Sequence, residues 1–230
     1  MLSNNSFIQI AGVKNLQEAQ MLVSCGVDHI GFPLRLHHHQ EDISENEAAA
    51  IIREFPSTVE AVLITYLDKA EDVFQLSRLL HTRVVQLHGD ISRSEFIQLK
   101  IGRPELQIIK SLIVGKTTED KLIQDMYQYA DLADAFLLDT YDPISDACGA
   151  TGKVHDWGIS RRVVELSPLP VILAGGLTPD NVSQAILTVK PAGVDVHSGV
   201  EDHNGFKDKQ LVERFIREAR KAFQLLNCDR

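Results

Sequence analysis

The residues best suited to bind a phosphate lie in two glycine-containing turns in the last third of the chain. The segment 173–182, LAGGLTPDNV, joins an apolar run to a helix start near Thr178, and the segment 194–208 follows the next apolar run. Bare backbone amides next to a helix N-terminus favour an anion. The two turns therefore predict a phosphate site, with ordinary strand-to-helix turns that need glycine for their backbone angles as the alternative. The candidate phosphate-binding residues are Gly175, Gly176, Ser198 and Gly199.

A carboxylate and an imidazole stand at the ends of two other apolar runs. Asp139 closes the run AFLLD, and a carboxylate at the C-terminal end of a buried strand is more often functional than structural. Gln86 and His88 end the run VVQLHG, and both point to one side because strand residues alternate faces. We expect these two to contact a substrate, although a structural hydrogen-bonding role suits His88 equally well. The glycine loop 149–152 either closes over a ligand or is a surface turn.

Three consecutive histidines, His37, His38 and His39, form a further cluster of titratable side chains. Imidazoles bind metals and accept protons near pH 7, so this segment is a candidate source of a base or a metal site, but a solvated loop is favoured. Cys148 lies beside the glycine loop without an identifiable partner base, and the three cysteines show neither metal-binding nor disulfide spacing. We predict no metal and no cofactor.

These residues need a scaffold that brings the ends of several strands together. Short, nearly continuous apolar runs alternate with helix-like segments, as in a parallel sheet that is buried on both faces. The candidate strands are 7–12, 28–32, 59–65, 84–89, 106–114, 135–139, 169–176 and 193–199. Helix starts are indicated at Asn15 with Glu18, Ser44 with Glu47, Asp68 with Glu71, Ser92 with Glu95, and Thr178 with Pro179.

The repeat of strand and helix predicts an α/β fold, a (β/α)8 TIM barrel that forms a single domain over residues 1–230. A doubly wound open sheet is the alternative, but its G-x-G-x-x-G fingerprint does not follow the first strand. The longest irregular stretches, 33–43 and 140–156, follow strands, where a barrel keeps its active-site loops.

Composition narrows the class of ligand. A formal net charge of −9 without a Lys/Arg cluster argues against nucleic-acid binding. There is no run of about 18 apolar residues to span a membrane, and the first residues lack a signal-peptide layout. We expect a cytoplasmic protein that binds a small phosphorylated sugar compound through local backbone groups. The sequence does not predict the oligomeric state.

Taken together, the motifs resemble the phosphoribosylanthranilate isomerase family of tryptophan biosynthesis. The matching motifs are IAG near the N-terminus, GF at 31–32, VQLHG at 85–89, LLD at 137–139, GATG with Asp156-Trp157, LAGGLTPDNV, and DVHSGVE with Lys207-Asp208. The resemblance implies a (β/α)8 barrel and an Amadori rearrangement of an aminoaldose phosphate into an aminoketose phosphate, without metal or cofactor. It also implies that Asp139 is the general acid that opens the furanose ring and that the two glycine turns hold the phosphate.

The sequence departs from the family pattern on the ligand side. The family motif Lys-Ile-Cys-Gly, whose cysteine is the general base, is replaced by QIAG at 9–12, and Ala11 cannot take a proton. The stretch 33–40 replaces a Ser-Pro-Arg segment whose arginine contacts the anthranilate carboxylate, so Arg35 is a displaced candidate for that contact. His197 stands where the family commonly has serine.

Loss of a positioned base typically costs about 10²–10⁴-fold in rate, so these departures predict an altered substrate or activity. One hypothesis is an isomerase with Asp139 as acid, a relocated base for which His37 and His197 are candidates, and Ala11 and Arg35 among the substrate contacts. Other hypotheses are a slow ordinary isomerase, a non-catalytic phosphosugar-binding protein, and an isomerase or epimerase of a different phosphosugar. A metal-dependent epimerase of the ribulose-phosphate type is disfavoured because the pair at 28–29 begins a strand instead of ending one.

Overall fold

Eight parallel strands close into a ring, so that their C-terminal ends meet at one mouth. The computed structural model describes residues 6–36, 41–142, 147–148 and 155–228. The strands are β1 Phe7–Ala11, β2 His29–Pro33, β3 Glu60–Thr65, β4 Val84–Leu87, β5 Gln107–Val114, β6 Ala135–Asp142, β7 Ala147–Cys148, β8 Val171–Leu173 and β9 Gly193–Val196. Around the ring they follow the order β5-β4-β3-β2-β1-β9-β8-β6, and β5 pairs with β6 to close it. The short β7 pairs antiparallel with the end of β6.

Helices connect successive strands of the ring. They are α1 Leu16–Ser24, α2 Glu45–Ile52, α3 Ala70–Leu80, α4 Arg93–Gly102, α5 Glu119–Tyr129, α6 Trp157–Leu166, α7 Val182–Val189 and α8 Lys209–Cys228, with a 3₁₀ turn at Ser198–Val200. This alternation confirms the predicted TIM barrel, and the pairing of β5 with β6 rules out the open-sheet alternative. Among the described residues, the helices are each too short or too polar to cross a bilayer.

Three of the predicted helix starts are confirmed by side-chain caps. Asn15 caps α1, Ser44 caps α2 and Ser92 caps α4, and each accepts a hydrogen bond from the backbone N–H of the glutamate three residues later. Each cap gives one of the free amides of a first helical turn a partner. The helices that surround the mouth therefore begin at defined residues.

Two predicted helix starts are wrong. α3 begins at Ala70 and not directly after Asp68, because its first amide is capped by another helix: the Glu95 carboxylate of α4 accepts the Ala70 N–H over 2.9 Å. α7 begins at Val182 instead of following Thr178 directly, because the Thr178 carbonyl first accepts amides of an intervening turn.

Alternation along the strands divides the buried apolar side chains between two cores. One core lies between the strands and the helices and includes Ile8, Ile10 and Phe136. The other fills the barrel interior and consists of Phe7, Ala11, Val62, Ile64, Val84, Ile109, Ala135, Leu137, Ile172 and Ala174. At the N-terminal end of the interior, the Phe7 ring stacks on His29 with 4.7 Å between ring centroids. The interior is thus a packed floor beneath the mouth.

Asp28, just before β2, ties together the N-terminal face of the barrel. Its Oδ2 accepts the Ile8 N–H over 2.7 Å and pairs with the Arg220 guanidinium of α8 over 2.6 Å. The Arg220 guanidinium also donates to the Ser6 carbonyl. One carboxylate therefore joins β1, β2 and the last helix.

Replacing Asp28 with alanine should lower the free energy of unfolding by about 1–3 kcal/mol, because a backbone donor and a guanidinium lose their shared acceptor. Urea denaturation followed by circular dichroism measures this loss. Asp131→Ala is the matched control, since Asp131 pairs with Arg93 on the surface and exposed pairs contribute little. Equal losses in the two variants would contradict the role assigned to Asp28.

Candidate active site

Asp139 lies on the interior face of β6, in the barrel mouth. It is 7% exposed, and its Oδ1 accepts the backbone N–H of Thr140 over 2.7 Å. Its Oδ2 lies 3.8 Å from Nε2 of His88. β6 continues to Asp142, so the carboxylate projects from within the strand and not from its last residue as predicted. A rigid strand therefore holds this acid in place.

His88 connects three neighbouring strands at the mouth. Its Nδ1 lies 2.9 Å from Oγ of Ser111, and its ring is tilted against Tyr66 with 5.1 Å between centroids. Leu87 pairs with Lys110 in the β4–β5 register, so the next residues, His88 and Ser111, enter the interior side by side. Sequence reasoning missed Ser111, whose signal was a single serine within the apolar run of β5. A contact between His88 and substrate stays a prediction.

Gln86 faces the interior like His88 but lies one layer deeper. It is 2% exposed, and its Oε1 accepts a hydrogen bond from Nε2 of Gln9 over 2.9 Å. Two residues along a strand span about 6.6 Å, which places this amide pair below the mouth. The geometry favours Gln86 as part of the polar floor, and its predicted contact with substrate stays untested.

The first glycine turn follows β8 in a backbone conformation that favours glycine. Gly175 has a φ of +82° and Gly176 a φ of +64°. A Cβ on Gly175 would come within 2.0 Å of Thr140 Oγ1 and 3.1 Å of Asp139 Oδ1. The turn is fixed by Asn181, which donates from Nδ2 to the Gly176 carbonyl over 2.9 Å. The turn therefore lies directly against the acid.

The second glycine turn packs against the first. A Cβ on Gly199, in the 3₁₀ turn Ser198–Val200, would come within 1.8 Å of the Leu177 carbonyl oxygen. Only glycine permits so close an approach of the two backbones. The structure thus brings together all four candidate phosphate-binding residues at the ends of the last two barrel strands, where barrels commonly bind phosphate.

Ala11 ends β1 on the interior face, and the imidazole of His197 lies beside it. Gly12, the next residue, has a φ of +81°, and a Cβ there would come within 2.1 Å of His197 Nε2. The same nitrogen lies 3.4 Å from Glu201 Oε1 and 4.0 Å from Asp42 Oδ2. The mouth therefore carries an imidazole next to the strand end where Ala11 offers only a methyl group.

Lys207 fixes the loop that carries His197. Its buried Nζ donates to Oε1 of Glu201 over 2.6 Å and to the His197 carbonyl over 3.0 Å. Its backbone N–H donates to Oε1 of Glu18 over 2.6 Å, which ties the loop to α1. Burial lowers the pKa of Lys207, while the hydrogen bond to Glu201 opposes that shift. The Lys207-Asp208 motif was visible in the sequence, but this clamp was not predicted.

His155 fixes the strand end that carries Asp139. Its Nδ1 lies 2.8 Å from Thr140 Oγ1, and its Nε2 lies 2.6 Å from Oγ of Ser160, a fully buried residue of α6. Burial lowers the pKa of His155 to about 4, so the ring is neutral near pH 7. A neutral imidazole donates through one nitrogen and accepts through the other, which matches two hydroxyl partners. Sequence reasoning missed this residue.

A cavity of about 570 Å³ opens beside His88 and Ser111, between the ends of β3, β4 and β5. Lys110 lines it, with Nζ donating to the Gly89 carbonyl over 3.0 Å and to the Ser111 carbonyl over 3.1 Å. Burial lowers the pKa of Lys110 to about 8. This ammonium group holds the ends of β4 and β5 together next to the site. Within the described part of the chain, no group of three or more His, Cys, Asp or Glu side chains is placed to hold a metal.

The other predicted site residues are placed as follows. Arg35 has a φ of +56°, and its Nε pairs with Glu45 Oε1 at the start of α2 over 2.6 Å, so the side chain is held against that helix. Its contact with a substrate carboxylate stays a prediction. His37 and the glycine loop 149–152 lie outside the described residues.

Comparison with known sequences gives a consistent family. The family model described as N-(5'phosphoribosyl)anthranilate (PRA) isomerase matches residues 8–218. The chain is 41% identical over 218 residues to N-(5'-phosphoribosyl)anthranilate isomerase 2 of Methanosarcina mazei, covering 94% of this chain and 95% of that protein. It is 34% identical over 213 residues to N-(5'-phosphoribosyl)anthranilate isomerase of Methanothrix thermoacetophila, covering 93% and 97%.

Solved structures of such proteins share the fold. Phosphoribosyl anthranilate isomerase from Thermotoga maritima superposes with a TM-score of 0.80 at 28% identity, covering 94% of this chain and 98% of that one. A structure of phosphoribosyl anthranilate isomerase in complex with reduced 1-(o-carboxyphenylamino)-1-deoxyribulose 5-phosphate gives a TM-score of 0.77 at 26% identity, with the same coverage.

The depressed pKa of His155 predicts a pH dependence of stability. The unfolded chain takes up a proton near pH 6.5 that the folded chain takes up only near pH 4, so stability is full above pH 6.5 and falls as the pH drops towards 4. His155→Gln should therefore reduce the stability lost between pH 7 and pH 4.5 by about 2 kcal/mol. Urea denaturation at both pH values measures the difference. Parallel losses in wild type and variant would contradict a buried neutral imidazole.

Proposed function

The chain belongs to the N-(5'-phosphoribosyl)anthranilate isomerase family, and on that premise we propose that it converts N-(5'-phosphoribosyl)anthranilate into the corresponding aminoketose phosphate. The observation that carries this proposal is the position of Asp139, a buried carboxylate directly against the first of two touching glycine turns. The arrangement offers an acid for the sugar ring and backbone amides for the phosphate.

The reaction needs an acid and a base but no change in the overall oxidation state of the substrate. The acid protonates the furanose ring oxygen as its bond to C1 breaks, which opens the ring to a protonated imine. The base then removes the proton from C2, and the resulting enol tautomerises to the ketone. Asp139 serves as the acid, and the carboxylate formed when it gives up its proton is stabilised by the hydrogen bond from the Thr140 N–H, with Nε2 of His88 3.8 Å away. We propose no role for a metal or cofactor.

The phosphate is held by the paired turns, through Gly175, Gly176, Ser198 and Gly199. The two turns lie in close contact, so their backbone amides are available to bind an anion without any basic patch. The relative that was solved with a deoxyribulose 5-phosphate derivative supports a ligand of this class. In a chain with net charge −9, such local donors are what an anionic substrate requires.

The base in this proposal is His197. Its ring lies against Gly12, next to the methyl group of Ala11, and its Nε2 faces the carboxylate of Glu201 at 3.4 Å. A carboxylate this close stabilises the imidazolium that forms when the ring takes up a proton. The loss of an ionisable group from position 11 is thereby offset by a titratable ring from the neighbouring strand end.

Ala11 also leaves a second candidate function, a phosphosugar-binding protein without turnover. In that case His197 would help to bind the phosphate and would not transfer a proton. The two functions differ in what Asp139 and His197 do to the rate, which the following experiments measure.

Purified protein should consume N-(5'-phosphoribosyl)anthranilate, followed as loss of anthranilate fluorescence, and Asp139→Asn should slow the reaction by about 10²–10⁴-fold. Asp134→Asn is the matched control, because Asp134 directly precedes the same strand at its opposite end and binds the Ile108 N–H and Lys100. No turnover by the wild type, combined with a rise in melting temperature on adding inorganic phosphate, would favour the binding protein.

His197→Ser should slow turnover by about 10²-fold or more, and adding Ala11→Cys to that variant should restore part of the rate by returning a base to the first strand. The affinity for inorganic phosphate, measured by calorimetry, separates loss of a base from damage to the phosphate loop. A His197→Ser variant with wild-type kcat would show that another group removes the C2 proton.

A further inference from the structure

Asp195 is a buried carboxylate of β9 that the mechanism above leaves without a role. It is 8% exposed and lies on the interior face, two residues before His197. Leu138 pairs with Leu173, and Leu173 pairs with Val194, so Asp139 and Asp195 are the next residues along two strands that are separated by one strand. The residue between them, Ala174, contributes only a methyl group to the interior. The register therefore places the two carboxylates on the interior face of the barrel with only the methyl group of Ala174 on the strand between them.

The floor around Asp195 contains two buried acceptors that lack a donor. Gln9 is the register partner of Asp195 on β1, and its Nε2 donates to Gln86. Gln9 Oε1 and Asp195 Oδ1 are both buried and have no hydrogen-bond partner among the described residues. Buried polar oxygens are almost always paired, and these two belong to register partners on neighbouring strands, so a single donor between them would pair both. A proton on Asp195 would supply it.

The charges near Asp195 also favour its protonated form. The charged groups that act on it are Asp139 of β6, with His88 after β4 next to that carboxylate, and Lys207 in the segment before α8. The Lys207 ammonium is 2.6 Å from Glu201, so its charge is already paired. Burial, and next the negative charge of Asp139, raise the pKa of Asp195 to about 7, while hydrogen bonding by Gln9 and the charge of Lys207 oppose that rise.

We propose that Asp139 and Asp195 share one proton at neutral pH, and that Asp195 is a positioning residue that keeps Asp139 protonated often enough to act as an acid. Neighbouring groups stabilise the pair whether the proton is on Asp195 or on Asp139. On Asp195 it gives the buried oxygens of the floor a donor, while the Thr140 N–H stabilises the Asp139 carboxylate. On Asp139 it is ready for transfer, and the charge of Lys207, although paired with Glu201, then favours the ionised form of Asp195.

The shared proton answers a requirement of the chemistry. An isolated aspartate has a pKa near 3.9 and is about 0.1% protonated at pH 7, too little for an efficient general acid. Two adjacent carboxylates resist double ionisation, so a pair retains one proton at a pH where each acid alone would have lost it. Asp195 acts through Asp139, because it lies in the floor beneath the mouth. The catalytic consequence rests on the proposed function, whereas the sharing itself does not.

Carboxyl titration in the free protein tests the sharing directly. In protein labelled with ¹³C at the aspartate side-chain carboxyls, Asp139 and Asp195 should both respond to a single titration near neutral pH. Asp195→Asn should lower the midpoint of Asp139 by about one pH unit or more, and Asp139→Asn should lower that of Asp195 in the same way. Asp134→Asn, which removes a carboxylate from the far end of β6, should leave both midpoints in place. An Asp139 midpoint that is unchanged by Asp195→Asn would overturn the proposal.

The reciprocal variant, Asp139→Asn, keeps the test decisive should Asp195→Asn not fold, and neither titration requires turnover. Failure of the proposed isomerase activity is therefore distinguishable from failure of proton sharing. Where turnover is measured, the loss of kcat at high pH should occur about one unit lower in Asp195→Asn, because the acid loses its proton earlier, with KM changed less than about threefold. A lowered kcat with an unshifted pH profile would mean that Asp195 has a structural role alone, and would overturn the proposal.

Discussion

The pairing of β5 with β6 is the contact on which the site depends. It sets Ile109–Val114 against Ala135–Thr140 in parallel register and closes the ring. In an open sheet, His88 and Ser111 would lie towards one edge and Asp139 at the other. The 3.8 Å approach of the imidazole to the carboxylate is therefore a product of closure and not of any local motif. Closure also removes sheet edges, so the strand ends that carry the site are held on both sides by backbone hydrogen bonds.

Closure of the ring also buries the side chains of the barrel interior, which are either apolar or polar and hydrogen-bonded. Its lower part is apolar, from the stacked Phe7 and His29 upward, but the upper part carries Gln9, Gln86 and Asp195. Burying such groups costs free energy unless every donor and acceptor is paired, and an apolar filling of equal volume is often the more stable solution. This barrel instead keeps a carboxylate in the floor, two residues below the rim. Stability alone would favour apolar side chains at these positions. The polar side chains of the floor are therefore better explained by their electrostatic effect on the site.

Much of this could be predicted from sequence, because its signals are local. Apolar runs gave the strands, and Asn15, Ser44 and Ser92 gave helix starts that the structure confirms. Asp139, His88 and the glycine turns were visible because strand ends and turns carry their chemistry within a few residues. The runs 169–176 and 193–199 were too long, since positive φ at Gly175 and the 3₁₀ turn end the strands while the apolar pattern continues. What could not be predicted depends on distant partners: Glu95 capping a different helix, Ser160 holding His155, and Gln9 beneath Gln86.

The proposed acid and the proposed base are positioned by different kinds of constraint. Asp139 is fixed by strand register and by the hydrogen bonds around Thr140, so its position depends on the whole barrel. His197 is fixed by a loop: Gly12 leaves room for its ring, and Lys207 holds its carbonyl. A titratable side chain held by a loop can lie at either of two neighbouring strand ends with little effect on the packing of the core. Moving Asp139 would instead require a new register between β5 and β6. Alanine at the end of β1 with a titratable side chain after β9 is thus an arrangement that the fold can hold, because both positions open onto the same mouth.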